Sequence, residues 1–188
     1  MRSYPRPLVS ALLTFLAAAF VTPVMMAAEK GLDEEPYVPY VPTPEAVVDE
    51  MLEIAHVGAK DIVYDLGSGD GRIVIAAAKR FGSRGLGIEI NPDLLREAND
   101  NAGQAGVAHL VRFVEGDFFM ADLHEATVVT LYLLPEVNRQ LLPKLLAELR
   151  PGTRIVSYKY GLGDWAPEKT VQVSRGTVYY WVVPPRAR

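Results

Sequence analysis

Residues 65–75 read DLGSGDGRIVI and directly follow Asp61-Ile62-Val63-Tyr64, an apolar run with the character of a buried strand. Glycines at 67, 69 and 71 are conformationally expensive, because each loses more backbone freedom on folding than any other residue would. Three in five residues therefore mark a place where a side chain is not tolerated. The residues after them, 72–81, carry apolar groups at helical spacing, so the glycines occupy a turn from a strand into a helix. That turn commits the chain to an α/β arrangement, and the remaining sequence keeps the same rhythm. Further strands are predicted over 85–90, 110–115, 127–133 and 154–159, with helices over 92–105 and 136–149 between them. An earlier helix starts with Thr43 as N-cap and Pro44 in its first turn, and its apolar face is Val47, Val48, Met51, Leu52 and Ala55. Alternating strands and helices imply a mostly parallel sheet with helices on both faces. The rhythm ends at 170–174 and 177–183, where two strands flank Arg175-Gly176 without a helix, which predicts a terminal hairpin.

The chain has 188 residues, about one domain's worth, and is 49% hydrophobic and 22% charged, enough apolar material for one core. Residues 1–28 differ from the rest. Arg2 and Arg6 precede an apolar stretch over 8–21, followed by Pro23 and then Ala27-Ala28, the plan of a secretory signal or membrane anchor. The expected location is therefore exported or membrane-anchored, with membrane contact through residues 8–28; a mitochondrial location is the alternative. Residues 29–42 are acidic and then proline-paced, and read as a stiff linker or lid carrying Tyr37 and Tyr40. The domain proper spans 43–188. Without Arg2 and Arg6 the 19 basic residues fall to 17 against 23 acidic ones, a net charge of −6. A phosphate backbone calls for a basic face, so nucleic acid is not an expected partner. There is no cysteine, and His56, His109 and His124 are dispersed without ligand spacing, so no metal site is expected.

In such sheets ligands bind beyond the strand ends, where the first strand passes into its helix. A dinucleotide fingerprint would need its third glycine at position 72, which is Arg72. The observed acid followed by G-x-G-x-G favours a ligand with no diphosphate to cradle. Glu89, closing the second strand, is a bidentate acceptor suited to two vicinal hydroxyls.

The succession DLGSGDGR, GIEINP and EGDFF resembles the motifs of class I S-adenosylmethionine-dependent methyltransferases, and the likeness extends over most of residues 43–183. It implies a doubly wound, Rossmann-like, seven-stranded sheet with an antiparallel terminal hairpin, and S-adenosylmethionine as cofactor. Carried over by position, Asp65 lies near the ligand's amino group and Gly67, Gly69 and Gly71 receive its methionine and ribose portion. Glu89 binds the ribose hydroxyls and Asp117 approaches the adenine. Ser68, Asp70, Asn91 and Phe118 in the same motifs, with Tyr40 and Thr43 from the lid, complete the expected cofactor-binding set.

A closer likeness is carried by DLGSGDGRIVI, ATVVTLYLLPEVN, LRPGTRIVSY and GDWAP. These resemble the protein-lysine methyltransferase group that includes the mitochondrial enzymes acting on the ATP synthase c-subunit and the adenine nucleotide translocase. The mitochondrial enzymes tend to have Leu-Trp where this chain has Phe118-Phe119. The implied activity is N-methylation of a protein lysine, with a membrane-associated acceptor as one option. The alternatives are a small-molecule methyltransferase and a non-catalytic S-adenosylmethionine-binding protein at a membrane. After the fourth strand stands Tyr132-Leu133-Leu134-Pro135, not the Asn-Pro-Pro-aromatic run of enzymes that methylate base or glutamine amines. Tyr132 and Trp165 are the candidate catalytic residues, as aromatic faces for a sulfonium or an ammonium.

Overall fold

A computed structural model describes residues 40–186. The expected signal and most of the expected lid, including Tyr37, lie outside the described residues. Among the described residues no helix is long and apolar enough to cross a membrane. The elements run α1 Glu45–Ile54, β1 Ile62–Leu66, α2 Arg72–Phe81, β2 Arg84–Glu89, α3 Pro92–Gln104 and β3 Val111–Glu115. They continue with β4 Val128–Leu131, α4 Pro135–Glu148, β5 Arg154–Tyr158, β6 Lys169–Val173 and β7 Gly176–Val182.

The seven strands order β3-β2-β1-β4-β5-β7-β6. The first five pair in parallel, while β7 runs antiparallel between β5 and β6. This is the doubly wound sheet with a terminal hairpin that the sequence implies. One core cluster packs α1, α2 and α3 on one face, and a second gathers α4 residues Leu141 and Leu145 on the other. All five residues of the expected α1 face are buried, Val47, Val48, Met51, Leu52 and Ala55. Each of the larger side chains contributes roughly 1.5–3 kcal/mol by leaving water.

Local signals place the helix ends. Asn91 caps α3 with its side chain, accepting from the Asp93 N–H at 2.9 Å, and Pro92 follows at the first helical position. The expectation for Thr43 is corrected. The N-cap of α1 is Pro44, whose carbonyl accepts from Val47 and Val48, and among the described residues no side chain caps this helix. Thr43 is instead buried one residue earlier, with its carbonyl taking a hydrogen bond from Arg72 Nη1 at 2.8 Å.

Candidate functional site

The reversal of strand order lies between β1 and β4, and the turn leaving β1 holds Gly67, Gly69 and Gly71 at φ of 77°, 53° and 79°. L side chains resist that region, which accounts for the glycines as backbone requirements. All three also meet close neighbours, and a Cβ on Gly67 would stand 3.1 Å from Leu133 Cδ2. A Cβ on Gly71 would stand 2.5 Å from the Phe113 ring and 3.0 Å from Ala98, so its missing side chain makes room for the protein's own core. The expectation that all three glycines clear space for a ligand is thus corrected at Gly71. A Cβ on Gly69 would stand 2.2 Å from the ring of Tyr40, which lies across the loop from the segment leading into α1.

Glu89 ends β2 buried against this loop. Its Oε2 accepts from Gly69 N–H at 2.8 Å and its Oε1 from Asn91 N–H at 2.9 Å. A carboxylate offers about four acceptor positions, so two backbone donors leave capacity for two hydroxyls. The loop is further tied to β2 by the Gly67 and Ser68 N–H groups, both donating to Ile88 C=O at 2.9 and 3.0 Å. Among the described residues Ser68 Oγ is buried with no hydrogen-bond partner, which marks it as a group able to serve a bound polar molecule.

Asp65 is 3% exposed and accepts from Thr130 Oγ1 at 2.7 Å. Burial, with Glu89 adding like charge, pushes its carboxyl up to about 7 against the Thr130 hydrogen bond that works the other way. The resting protein therefore holds at Asp65 a proton that the unfolded chain releases above about 4, so this group lowers stability as pH rises from about 4 to about 7. A cationic amine bound beside Asp65 requires the ionised form. Affinity for the expected cofactor, S-adenosylmethionine, should accordingly weaken about tenfold per pH unit below about 7, with proton release measurable by calorimetry in buffers of different ionisation enthalpy.

Asp70, expected to touch the ligand, is otherwise engaged. It accepts from Arg72 Nε at 2.9 Å, from Arg72 Nη2 at 2.5 Å and from the Arg72 N–H at 3.2 Å. Burial acts against the charged form, but the bonds from Arg72 and Tyr40 hold Asp70 below the usual carboxylate range. Burial of Tyr40 and the Asp70 charge push the Tyr40 hydroxyl up to about 12. Since Arg72 also holds the Thr43 carbonyl, Asp70 and Arg72 form a latch that fixes the Tyr40 segment over the glycine loop. With the Tyr40 ring as a wall of the ligand site, Tyr40→Ala should weaken binding of S-adenosylmethionine by about 3- to 30-fold and Tyr40→Phe hardly at all. Equal affinity for the alanine variant would show that the ring only packs on the loop.

Asp117 is exposed after β3 and accepts from Phe119 N–H at 2.8 Å, while the Phe118 and Phe119 rings pack at 4.9 Å. Asn91 spends its side-chain oxygen on the α3 cap. Ile90, not anticipated from sequence, is 71% exposed directly after Glu89, an apolar surface at the same mouth. Its signal was position alone: a branched apolar residue after the acid that closes β2.

Tyr132 follows β4 and packs against Tyr158 at the end of β5, their centroids 4.8 Å apart. The Lys159 ammonium stands over both, 5.4 Å and 5.6 Å from the ring centroids. Trp165 belongs to the other core cluster, 6.1 Å from Trp181, whose Nε1 donates to the Trp165 carbonyl at 2.9 Å. The structure therefore pairs Tyr132 with Tyr158, which sequence reasoning missed, and not with Trp165. His124, read as isolated, sits 2.6 Å from Asp122 with Glu148 nearby, but Glu148 is already held by Lys144 and the Leu123 N–H.

A family model described as the ANTKMT methyltransferase domain matches residues 65–169, more than half of the chain. A protein-lysine N-methyltransferase of Saccharolobus islandicus is 52% identical over 153 residues, covering 79% of this chain and 95% of its own. A mouse adenine nucleotide translocase lysine N-methyltransferase is 36% identical over 144 residues, which are 77% of this chain but 62% of that longer protein. Among solved structures, one described as an RNA methyltransferase from Salinibacter ruber in complex with S-adenosyl-L-homocysteine is 57% identical. It superposes with a TM-score of 0.77 over 79% of this chain and 97% of its own.

Proposed function

The chain belongs to the ANTKMT methyltransferase domain family, an S-adenosylmethionine-dependent group, and from that premise we propose that it methylates the side-chain amine of a protein lysine. The observation that carries the reading is the Tyr132–Tyr158 pair, which holds an ammonium over its two rings at the strand ends beside the glycine loop. The archaeal and mouse relatives, both named as lysine methyltransferases, support it.

The residues divide the work by position. We assign Asp65 to the donor's amino group, Glu89 to its ribose hydroxyls, and Asp117 with Ile90 and Phe118 to its base. Ser68 would offer the donor a hydroxyl beside the Tyr40 ring, since the Gly67, Ser68 and Gly69 N–H groups are already spent on Ile88 and Glu89. Asp70, Arg72 and Thr43 act one step back by fixing Tyr40. The bound sulfonium supplies an activated methyl group. The protein's task is then to align the acceptor nitrogen with it and to exclude water, since an in-line displacement needs no protein nucleophile. In this reading Tyr132 and Tyr158 hold the acceptor cation by their faces, and the Tyr132 hydroxyl takes a hydrogen bond from the amine as it loses its proton. The signal-like pattern of residues 1–28 supports a further proposal, that the domain works at or beyond a membrane; mass spectrometry of the native N-terminus tests it.

The relative described as an RNA methyltransferase favours a second reading, with a nucleic-acid acceptor. The net charge of −6 beyond residue 28 weighs against it. Incubation of the chain with methyl-labelled donor, total protein extract and total RNA decides between them. Label that resists nuclease and is recovered as methyllysine after hydrolysis is the expected result. Label that disappears with nuclease supports the RNA reading, and donor binding without any transfer supports a binding protein.

A further inference from the structure

We propose that Lys159 is itself a methylation site, modified in cis by the domain that carries it. The proposal rests on the reading of the Tyr132–Tyr158 side as the acceptor end. Lys159 is the residue after β5, β5 pairs with β4, and β4 pairs with the strand that feeds the glycine loop. Its place on that edge is constructed. The backbone takes a φ of 67°, which a lysine adopts at a cost of roughly 1–2 kcal/mol and which a turn would normally assign to glycine or asparagine.

A set of hydrogen bonds holds it there. Lys159 N–H donates to Thr177 C=O at 2.8 Å. On the next residues, Ser157 Oγ donates to the Tyr160 carbonyl at 2.7 Å, and Asn138 Nδ2, from fully buried Asn138 of α4, donates to the Tyr160 and Gly161 carbonyls at 3.3 and 3.1 Å. Tyr158 is anchored in turn by its hydroxyl, which donates to Arg175 C=O at 3.1 Å. The result is a lysine side chain laid across two fixed tyrosine rings.

The partners of the ammonium are what point to chemistry. Among the described residues no carboxylate pairs with Lys159, whereas Lys144 has Glu148. A carboxylate binds an ammonium through N–H bonds that methylation removes one by one. Aromatic faces bind the charge itself, so amine, monomethyl, dimethyl and trimethyl forms are all retained. In the reaction Nζ first loses a proton to water, which its half-exposed position allows. Its lone pair then forms the N–C bond as the methyl C–S bond breaks with its electron pair going to sulfur, leaving S-adenosylhomocysteine.

The test uses the purified full chain with deuteriomethyl donor and no added acceptor, followed by proteolysis and fragment mass spectra that separate Lys159 from the other five lysines of the sequence. Heavy methyl on Lys159, at a fraction that does not change with protein concentration, is expected, together with its loss in Lys159→Arg. Calorimetric donor binding by that variant confirms that it is folded. An unlabelled Lys159, when a parallel reaction with added protein extract labels other protein lysines, overturns the inference and leaves the proposed function standing. Labelling of Lys159 that rises with concentration is transfer between molecules and overturns the cis assignment. Donor binding with no label on any protein overturns both.

Discussion

Gly69→Val is expected to reduce donor affinity by at least about 100-fold in calorimetric titration while the chain still melts cooperatively. Three effects converge on that position. A φ of 53° costs a branched residue roughly 1–2 kcal/mol. Its Cβ would stand 2.2 Å from Tyr40 Cε2, so the ring that covers the loop must leave. The Gly69 N–H would also shift away from Glu89 Oε2, disturbing the carboxylate assigned to the ribose. All three fall at the site and spare the core, because Tyr40 is partly exposed and able to swing outward. Gly71→Val supplies the contrast. There the new side chain meets Phe113 and Ala98 inside the core, and overpacking by about 1–3 kcal/mol added to the strain should lower stability before binding is reached. Donor affinity for Gly69→Val within about twofold of the parent, against the tenfold that each 1.4 kcal/mol represents, would mean that no ligand lies against this loop.

Glu89→Ala should weaken donor binding by roughly 1.5–3 kcal/mol, about 10- to 150-fold, the range of charge-assisted hydrogen bonds. The structure adds a second cost. The same carboxylate satisfies the Gly69 and Asn91 N–H groups, so alanine leaves two donors without their partner and loosens the glycine loop. Glu89→Gln separates the contributions: it keeps one carbonyl acceptor and the side-chain volume, and should fall between alanine and the parent. An unchanged dissociation constant in Glu89→Ala would reduce Glu89 to a tie between the loop and α3.

Much of the fold was legible because its signals are local. The alternation of apolar periods placed every strand and helix within a few residues, and the Asn91-Pro92 start and the Arg175-Gly176 turn announced themselves in adjacent residues. Thr43 shows the limit of that reading. Threonine before proline is a cap signal, yet the helix begins a residue later and the Thr43 carbonyl is held by Arg72, a partner 29 positions away. Position 72 was informative in the sequence only as the glycine that a dinucleotide fingerprint lacks, whereas in the structure its guanidinium is the centre of the latch.

The sequence by itself determined the strand-turn-helix at the glycines and the acids that close the first and second strands, because backbone conformation and periodicity are properties of neighbouring residues. Only the tertiary structure decided which residues meet. The order β3-β2-β1-β4-β5-β7-β6 sets the ends of β4 and β5 side by side, so Tyr132 finds Tyr158 and Lys159 and not Trp165. It also brings Tyr40 across the loop at Gly69 and gives the space beside Gly71 to Phe113. Each of these is a contact between segments far apart in the chain, selected by how strands pair and cores fill, and no local pattern in the sequence carries that information.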